Sequence, residues 1–220
     1  MTDDDWKRLL AGAGELQEFF QEGLVFIGGI AVYAHSLSKD EAAAFAAQTS
    51  DVDFAILLSG YADLRDVELL TSNRDLTKQQ FIKRRVAYDA YVEGYTNLCI
   101  PVPETVAYSE MKSGLRVACI EHLLILKAKA LADRRGTPKG DKDEDDVARM
   151  LLVADSIDNE KLTRLTDDLL NDLRRAVSSD SAMRLAEGNS HKAKSLRSKI
   201  NARFQEVEEA HRLNYGGLSP

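Results

Sequence analysis

The tripeptide Asp51-Val52-Asp53 constrains the fold of this chain more than any other feature, because it opens an otherwise apolar run, residues 52–58, rich in Val, Ile, Leu and Phe. A run of this kind reads as a strand buried in a sheet, and the turn-prone pair Thr49-Ser50 precedes it. Residues i and i+2 of a strand project from the same face, so Asp51 and Asp53 stand side by side at its start. Two unscreened carboxylates there repel, and a divalent cation relieves the conflict. A shared carboxylate pair is also how protein sites clamp the metal ions of phosphoryl and nucleotidyl displacement. Strand-end acids that are solvated, or that cap a neighbouring turn, are the competing reading.

Residues 24–27 form an earlier apolar strand that ends at Gly28-Gly29, and helix-forming sequence follows at 30–37. This order of strand, glycine turn and helix lets backbone approach a ligand, while the helix N-terminus offers unpaired N–H groups and a positive dipole end to phosphate. A plain turn is the competing reading. A third carboxylate comes from residues 81–92, where Val86, Tyr88, Ala90 and Val92 alternate with Ala87, Asp89, Tyr91 and Glu93. Asp89 is the candidate metal ligand and acceptor of a hydroxyl proton. Glu93 lies on the same face and is the alternative, and a solvent-facing Asp89 is a further reading.

Further strands are expected at 98–102, bounded by Pro101 and Pro103, and at 115–120. Helices are expected at 6–21 and 63–70, then at 121–134, 143–154, 160–176 and 182–213. A boundary near residues 114–120 separates a mixed α/β part, 1–114, from a mainly helical part, 115–220. In the first of the later helices, Lys127 lies among Leu123, Leu124 and Leu131, inside the apolar stripe. A lysine there either snorkels or meets an anion, whether a triphosphate oxygen or the acids Asp143 and Asp146 of the segment KDEDDV, which otherwise only begin a helix whose dipole favours acids.

Composition excludes several classes. Only Cys99 and Cys119 are present, without CxxC spacing, so no disulfide framework or zinc cluster is expected. The longest apolar stretch, residues 24–34, is short of the ~20 residues of a membrane span, and the acidic start Asp3-Asp4-Asp5 is unlike an export signal, so a cytoplasmic protein without a membrane partner is expected. The formal charge of −7 lies wholly in the first hundred residues, which hold 9 Lys/Arg and 16 Asp/Glu. That half attracts hard cations and repels polyanions.

The segments "FIGGIAVYAHS" and "TSDVDFAIL" resemble the Gly-Gly and DxD signature of the polymerase-beta-like nucleotidyltransferase superfamily, and "EHLLILKAKALADRRG" with "KGDKDEDDV" resembles the lysine helix and KDxxD element of its AbiEii-like branch, found in abortive-infection and toxin–antitoxin systems. The likeness spans residues 24–152. It implies an α/β (α+β) fold, a small mixed sheet flanked by helices and followed by a helical C-terminal region. It also implies Gly28 and Gly29 as the phosphate-binding turn, Asp51 and Asp53 as the metal pair, Asp89 more loosely as the third ligand, Lys127 as the motif lysine on the nucleotide, and Asp146 as the second acid of KDxxD. Twenty-one residues separate Gly29 from Asp51, more than is usual, so an Ala-rich insertion has to loop out, and Ile30 stands where many relatives have Ser.

The implied activity is transfer of a nucleotide from an NTP, with Mg2+ or Mn2+, to an acceptor hydroxyl. A tRNA end is the first candidate acceptor, in a toxin-like protein with an antitoxin partner. Residues 191–204 support RNA, since they carry Lys192, Lys194, Arg197, Lys199 and Arg203 and no acid, and are expected to present one broad basic helix face. The alternatives are a protein side chain or small molecule as acceptor, and a catalytically silent binding subunit.

Overall fold

The computed structural model describes residues 2–68, 71–73 and 78–216. Seven strands, β1 Leu24–Ile27, β2 Asp51–Ile56, β3 Thr71–Asn73, β4 Lys78–Lys83, β5 Val86–Val92, β6 Glu110–Lys112 and β7 Leu115–Val117, form one mixed sheet in the order β3-β4-β5-β2-β1-β7-β6. Helices α1 Asp3–Phe19, α2 Gly28–Leu37, α3 Asp40–Ala43, α4 Leu58–Val67 and α5 Val102–Ala107 accompany the strands in sequence. Then come α6 Ile120–Arg134, α7 Pro138–Val153, a 3-10 turn at Asn159–Leu162, α8 Asp167–Val177, α9 Ser181–Leu185 and α10 Ser190–Tyr215. The chain separates into a sheet-bearing unit, residues 1–38 and 46–119, and a helical unit, residues 39–45 and 120–220. Residues 39–45, from the long insertion after α2, therefore belong with the helices: Arg149 Nε donates to the Phe45 carbonyl at 2.7 Å, and Lys39 pairs with Asp155 at 2.6 Å.

In the sheet unit, β2 lies between β1, antiparallel to it, and β5, parallel to it. Val52, Phe54 and Ile56 turn to one face and are fully buried, as are Phe26 and Tyr88. Aromatic rings link strands across this core: Phe54 meets Phe26 at 6.4 Å and Phe81 at 6.2 Å, and Phe81 stacks on Tyr88 at 5.0 Å. The Tyr88 hydroxyl donates to the Leu9 carbonyl, tying α1 to the sheet.

Four local expectations need correction, the first being the helix expected at 160–176, which is a 3-10 turn at Asn159–Leu162 followed after a break by α8 from Asp167. Residues 81–92 are not one strand but the hairpin β4–β5, turned by Arg84 and Arg85 at φ 52° and 65°. A two-residue hairpin turn calls for positive φ at both positions, where Gly or Asn is usual, so two arginines left no sequence signal. Residues 98–102 form no strand; Pro103 instead occupies the first turn of α5, where its missing N–H costs nothing. The helix expected at 182–213 is broken after α9 by Glu187 and Gly188, both at positive φ. Of the helix expected at 63–70, α4 covers the part to Val67, while Leu69 and Leu70 lie outside the described residues. Among the described residues no helix is long and apolar enough to cross a membrane.

His35 on α2 is buried; its Nε2 lies 2.9 Å from the Ala118 carbonyl oxygen, and its Nδ1 has no partner. Burial pushes the ring below the ordinary histidine value of 6.5 and outweighs the Ala118 carbonyl, which favours the charged form. The folded protein thus keeps His35 neutral where the unfolded chain protonates it. As pH falls below about 6.5 the unfolded state binds more protons, so this contribution to stability is lost toward acid. The drop in thermal stability between about pH 6.5 and 5 is expected to be smaller in His35→Gln than in wild type. Equal drops would show that His35 does not govern it.

Candidate active site

The register of β2 assembles the carboxylates. Asp53 faces Ile27 of β1 on one side and Asp89 of β5 on the other, while Asp51 faces Ala87. Since paired residues in a sheet share a face, Asp51, Asp53 and Asp89 all project from the same side, opposite Val52, Phe54, Tyr88 and Ala90. Asp51 and Asp53 are half-buried and Asp89 is buried. Glu93 lies past the Ile56–Val92 pair at the other end of the strands, where its Oε2 accepts from the Leu58 N–H at 2.9 Å at the start of α4. Of the two candidate third carboxylates, Asp89 is the one in register with Asp53.

The glycine turn meets this row of acids directly. Gly28 has φ +65°, and a Cβ built on it would lie 2.5 Å from Asp53 Oδ2. A Cβ on Gly29 would lie 2.9 Å from Thr49 Oγ1, which donates to Asp51 Oδ1 at 2.8 Å. Both glycines are therefore required by close approach, Gly28 by its backbone conformation as well. The N-terminus of α2 that begins here has no side-chain cap. Its first N–H groups lack helical acceptors and its dipole end is positive, which suits phosphate oxygens.

Two neighbours of Asp89 escaped the sequence reading. Lys78 and Gln80 of β4 both bond Asp89: Lys78 Nζ pairs with Oδ2, and Gln80 Nε2 donates to Oδ1 at 2.6 Å. Only the β4–β5 register, which sets Gln80 opposite Asp89, could have revealed them. Thr49 had a signal in its position two residues before Asp51.

The donor set is carboxylate oxygen, suited to Mg2+ or Mn2+. Among the described residues no group of three His, Cys, Asp or Glu side chains is gathered into a metal cage. An ion of the magnesium type takes one or two carboxylates from protein and completes its shell with water and substrate phosphate, so Asp51 and Asp53 are the residues that would hold it.

Within the helical unit Lys127 is buried, and snorkelling is excluded. Its Nζ lies 2.7 Å from Asp143 Oδ1 and 2.8 Å from Asp146 Oδ2. Arg134 adds a 3.2 Å contact to Asp143 and Arg149 a 2.8 Å contact to Asp146, closing a five-member ion cluster. Burial opposes the Lys127 charge, but Asp146 and Asp143 outweigh it and hold its pKa above the ordinary lysine value of 10.5.

The basic segment of α10 does not form a single face. Ala193, Leu196, Ile200 and Phe204 turn inward, and at 100° per residue this buried stripe divides the cations. Lys192 and Lys199 fall on one flank, Lys192 with its Nζ 5.0 Å from the Phe45 ring centroid. Arg197 falls on the other flank with Lys194 beyond it, and Arg203 pairs with Glu206.

By sequence the chain matches no protein-family model and no curated protein. By fold it is similar to an antigenic nucleotidyltransferase-like protein from Paracoccidioides brasiliensis, with TM-score 0.55 at 16% identity over 92% of this chain and 95% of that one. It is also similar to JHP933 from Helicobacter pylori, with TM-score 0.52 at 14% identity over 99% of both chains. A third likeness is to an H. pylori protein assigned provisionally as a nucleotidyltransferase, with TM-score 0.50 at 13% identity over 95% and 98%. The mixed sheet flanked by helices and followed by a helical region is thus a nucleotidyltransferase-like fold.

Two substitutions probe this geometry. Gly28→Ala is expected to lose about 1–2 kcal/mol for a side chain at positive φ, and more from the collision with Asp53. A variant as stable as wild type in chemical denaturation would contradict the close approach. Lys127→Met strips the shared cation from two buried carboxylates and is expected to cost about 3–5 kcal/mol by the same measurement. A loss under about 1 kcal/mol would mean that the cluster is solvated.

Proposed function

We propose that the protein transfers a nucleotide from an NTP to an acceptor hydroxyl, using Mg2+ or Mn2+ held by Asp51 and Asp53 with Asp89 as third carboxylate. The observation that carries this reading is the Asp51, Asp53 and Asp89 row on one sheet face, with Asp53 seated against Gly28 at the uncapped start of α2. The bound cation supplies charge neutralisation of the triphosphate and of the leaving pyrophosphate. Gly28 and Gly29 bring backbone N–H groups to the phosphates. Asp89 receives the proton of the acceptor hydroxyl as its oxygen bonds to the α-phosphorus and pyrophosphate departs. Lys127 and Asp146 enter the proposed machinery through the sequence resemblance; their own contacts speak for holding α6 to α7.

For the acceptor, we favour an RNA end, and with the AbiEii-like resemblance a tRNA end modified by a toxin-like protein that has an antitoxin partner. The supporting feature is the group of α10 cations, four of them exposed on two flanks of the helix. A protein side chain or small molecule is the second acceptor class, favoured by the excess acid of the first hundred residues.

Incubation with each labelled NTP, Mg2+ or Mn2+ and a cell lysate tests both levels. Label is expected in RNA, and Asp51→Asn with Asp53→Asn is expected to abolish it while leaving the protein folded. The same double variant should lose the rise in melting temperature that metal and nucleotide give the wild type. Label in protein or small molecules would replace the acceptor; undiminished labelling by the double variant would remove the metal pair.

A further inference from the structure

Asp89 is held on both oxygens by a strand that the metal pair does not use. Lys78 Nζ pairs with Oδ2 while Gln80 Nε2 donates to Oδ1 at 2.6 Å. The ammonium and the carboxylate are almost wholly out of solvent, their side chains 10% and 7% exposed. Lys78 and Gln80 are two apart on β4 and so share the face from which Asp89 projects. Lys78 Nζ also lies 5.9 Å from the centroid of the Tyr91 ring, on the same face. Asp51, in contrast, is served by the neutral hydroxyl of Thr49. The carboxylate that faces Asp53 across the strand pair thus carries a built-in cation.

An ammonium and a divalent ion compete for the same carboxylate, because each satisfies its charge and the two repel. We propose that Lys78 is the resident counter-cation of Asp89: it positions this carboxylate in the metal-free protein and holds back divalent cation from it, so that metal at Asp89 requires the added negative charge of the triphosphate. This inference rests on the reading above that the acidic face binds metal. Lys78 is a positioning residue, acting through Asp89. It makes the nucleotide part of the metal site, and it spares the fold the cost of three adjacent carboxylates before substrate arrives.

The test is Mn2+ binding by the nucleotide-free protein, read by electron paramagnetic resonance and by thermal shift. Lys78→Gln removes the charge but keeps a donor for Asp89, and is expected to bind Mn2+ about tenfold or more tightly than wild type, as deletion of one nearby positive charge should allow. Lys78→Arg, which keeps the charge, is expected to match wild type. Asp89→Asn added to Lys78→Gln should erase the gain. Wild-type affinity in Lys78→Gln, with binding lost in Asp51→Asn/Asp53→Asn, overturns the role of Lys78 and leaves the metal reading standing. Unchanged Mn2+ binding in that double variant overturns the metal reading itself. If Lys78→Gln is unfolded and Mn2+ does not restore it, metal cannot replace the ammonium and the proposal fails.

Discussion

The pairing of β2 with β1 and β5 holds the candidate site together. A strand has a side-chain period of two, so a slip of one residue would turn Asp51 and Asp53 into the core and Val52 and Phe54 out of it. Val52, Phe54 and Ile56 are fully buried. Each is worth about 1.5–3 kcal/mol in apolar burial, and such a slip would forfeit all three at once while burying two charges. The position of the carboxylates thus follows from the hydrophobic residues between them, and Asp89 joins them because its own neighbours Tyr88 and Ala90 obey the same constraint from β5.

Bringing three like charges into one row has an electrostatic cost, and the surroundings distribute its relief unevenly. Asp51 takes a hydroxyl from Thr49, Asp89 takes an ammonium and an amide from β4, and Asp53 lies against a glycine where any side chain would be strained. Among these contacts the ion pair of Asp89 with Lys78 is the one between full charges, whereas Thr49 meets Asp51 with a neutral hydroxyl. Beside Asp53, Gly28 has a positive φ and the N-terminus of α2 has no side-chain cap.

The helical unit solves its charge problem in the other way. Lys127, Asp143, Asp146, Arg134 and Arg149 set opposite charges 2.7–3.2 Å apart, and the cluster spans α6 and α7. Buried ion clusters add little net stability over apolar packing, but removing a member leaves charges stranded, so the cluster selects one alignment of the two helices over others. The same five residues contain the lysine and acid that the sequence motif singled out. Their contacts in the structure are those of a tie between α6 and α7.

What the sequence determined by itself was local. The projection of Asp51 and Asp53 from one face follows from their separation by one residue, the break at Gly28-Gly29 from glycine chemistry, and the extended character of 86–92 from alternation, although the strand was expected to begin at 81. Tertiary structure decided everything that depends on partners far along the chain. The choice of Asp89 over Glu93 needed the β2–β5 register, and Lys78 and Gln80 needed the β4–β5 register, which in turn hangs on a hairpin built from two arginines in a conformation their identity does not announce. The partners of Lys127 were among the candidates named from sequence, yet an apolar stripe only says that a buried cation needs an anion. Which anion arrives is set by the packing of α7 on α6. On α10 the charges were counted correctly and placed wrongly, because the inward turn of Ala193, Leu196 and Ile200 divides them between two flanks. Periodicity is encoded by neighbours in sequence and survives without a fold. Register and charge pairing are encoded by the summed burial of distant residues, and exist only once the chain has folded.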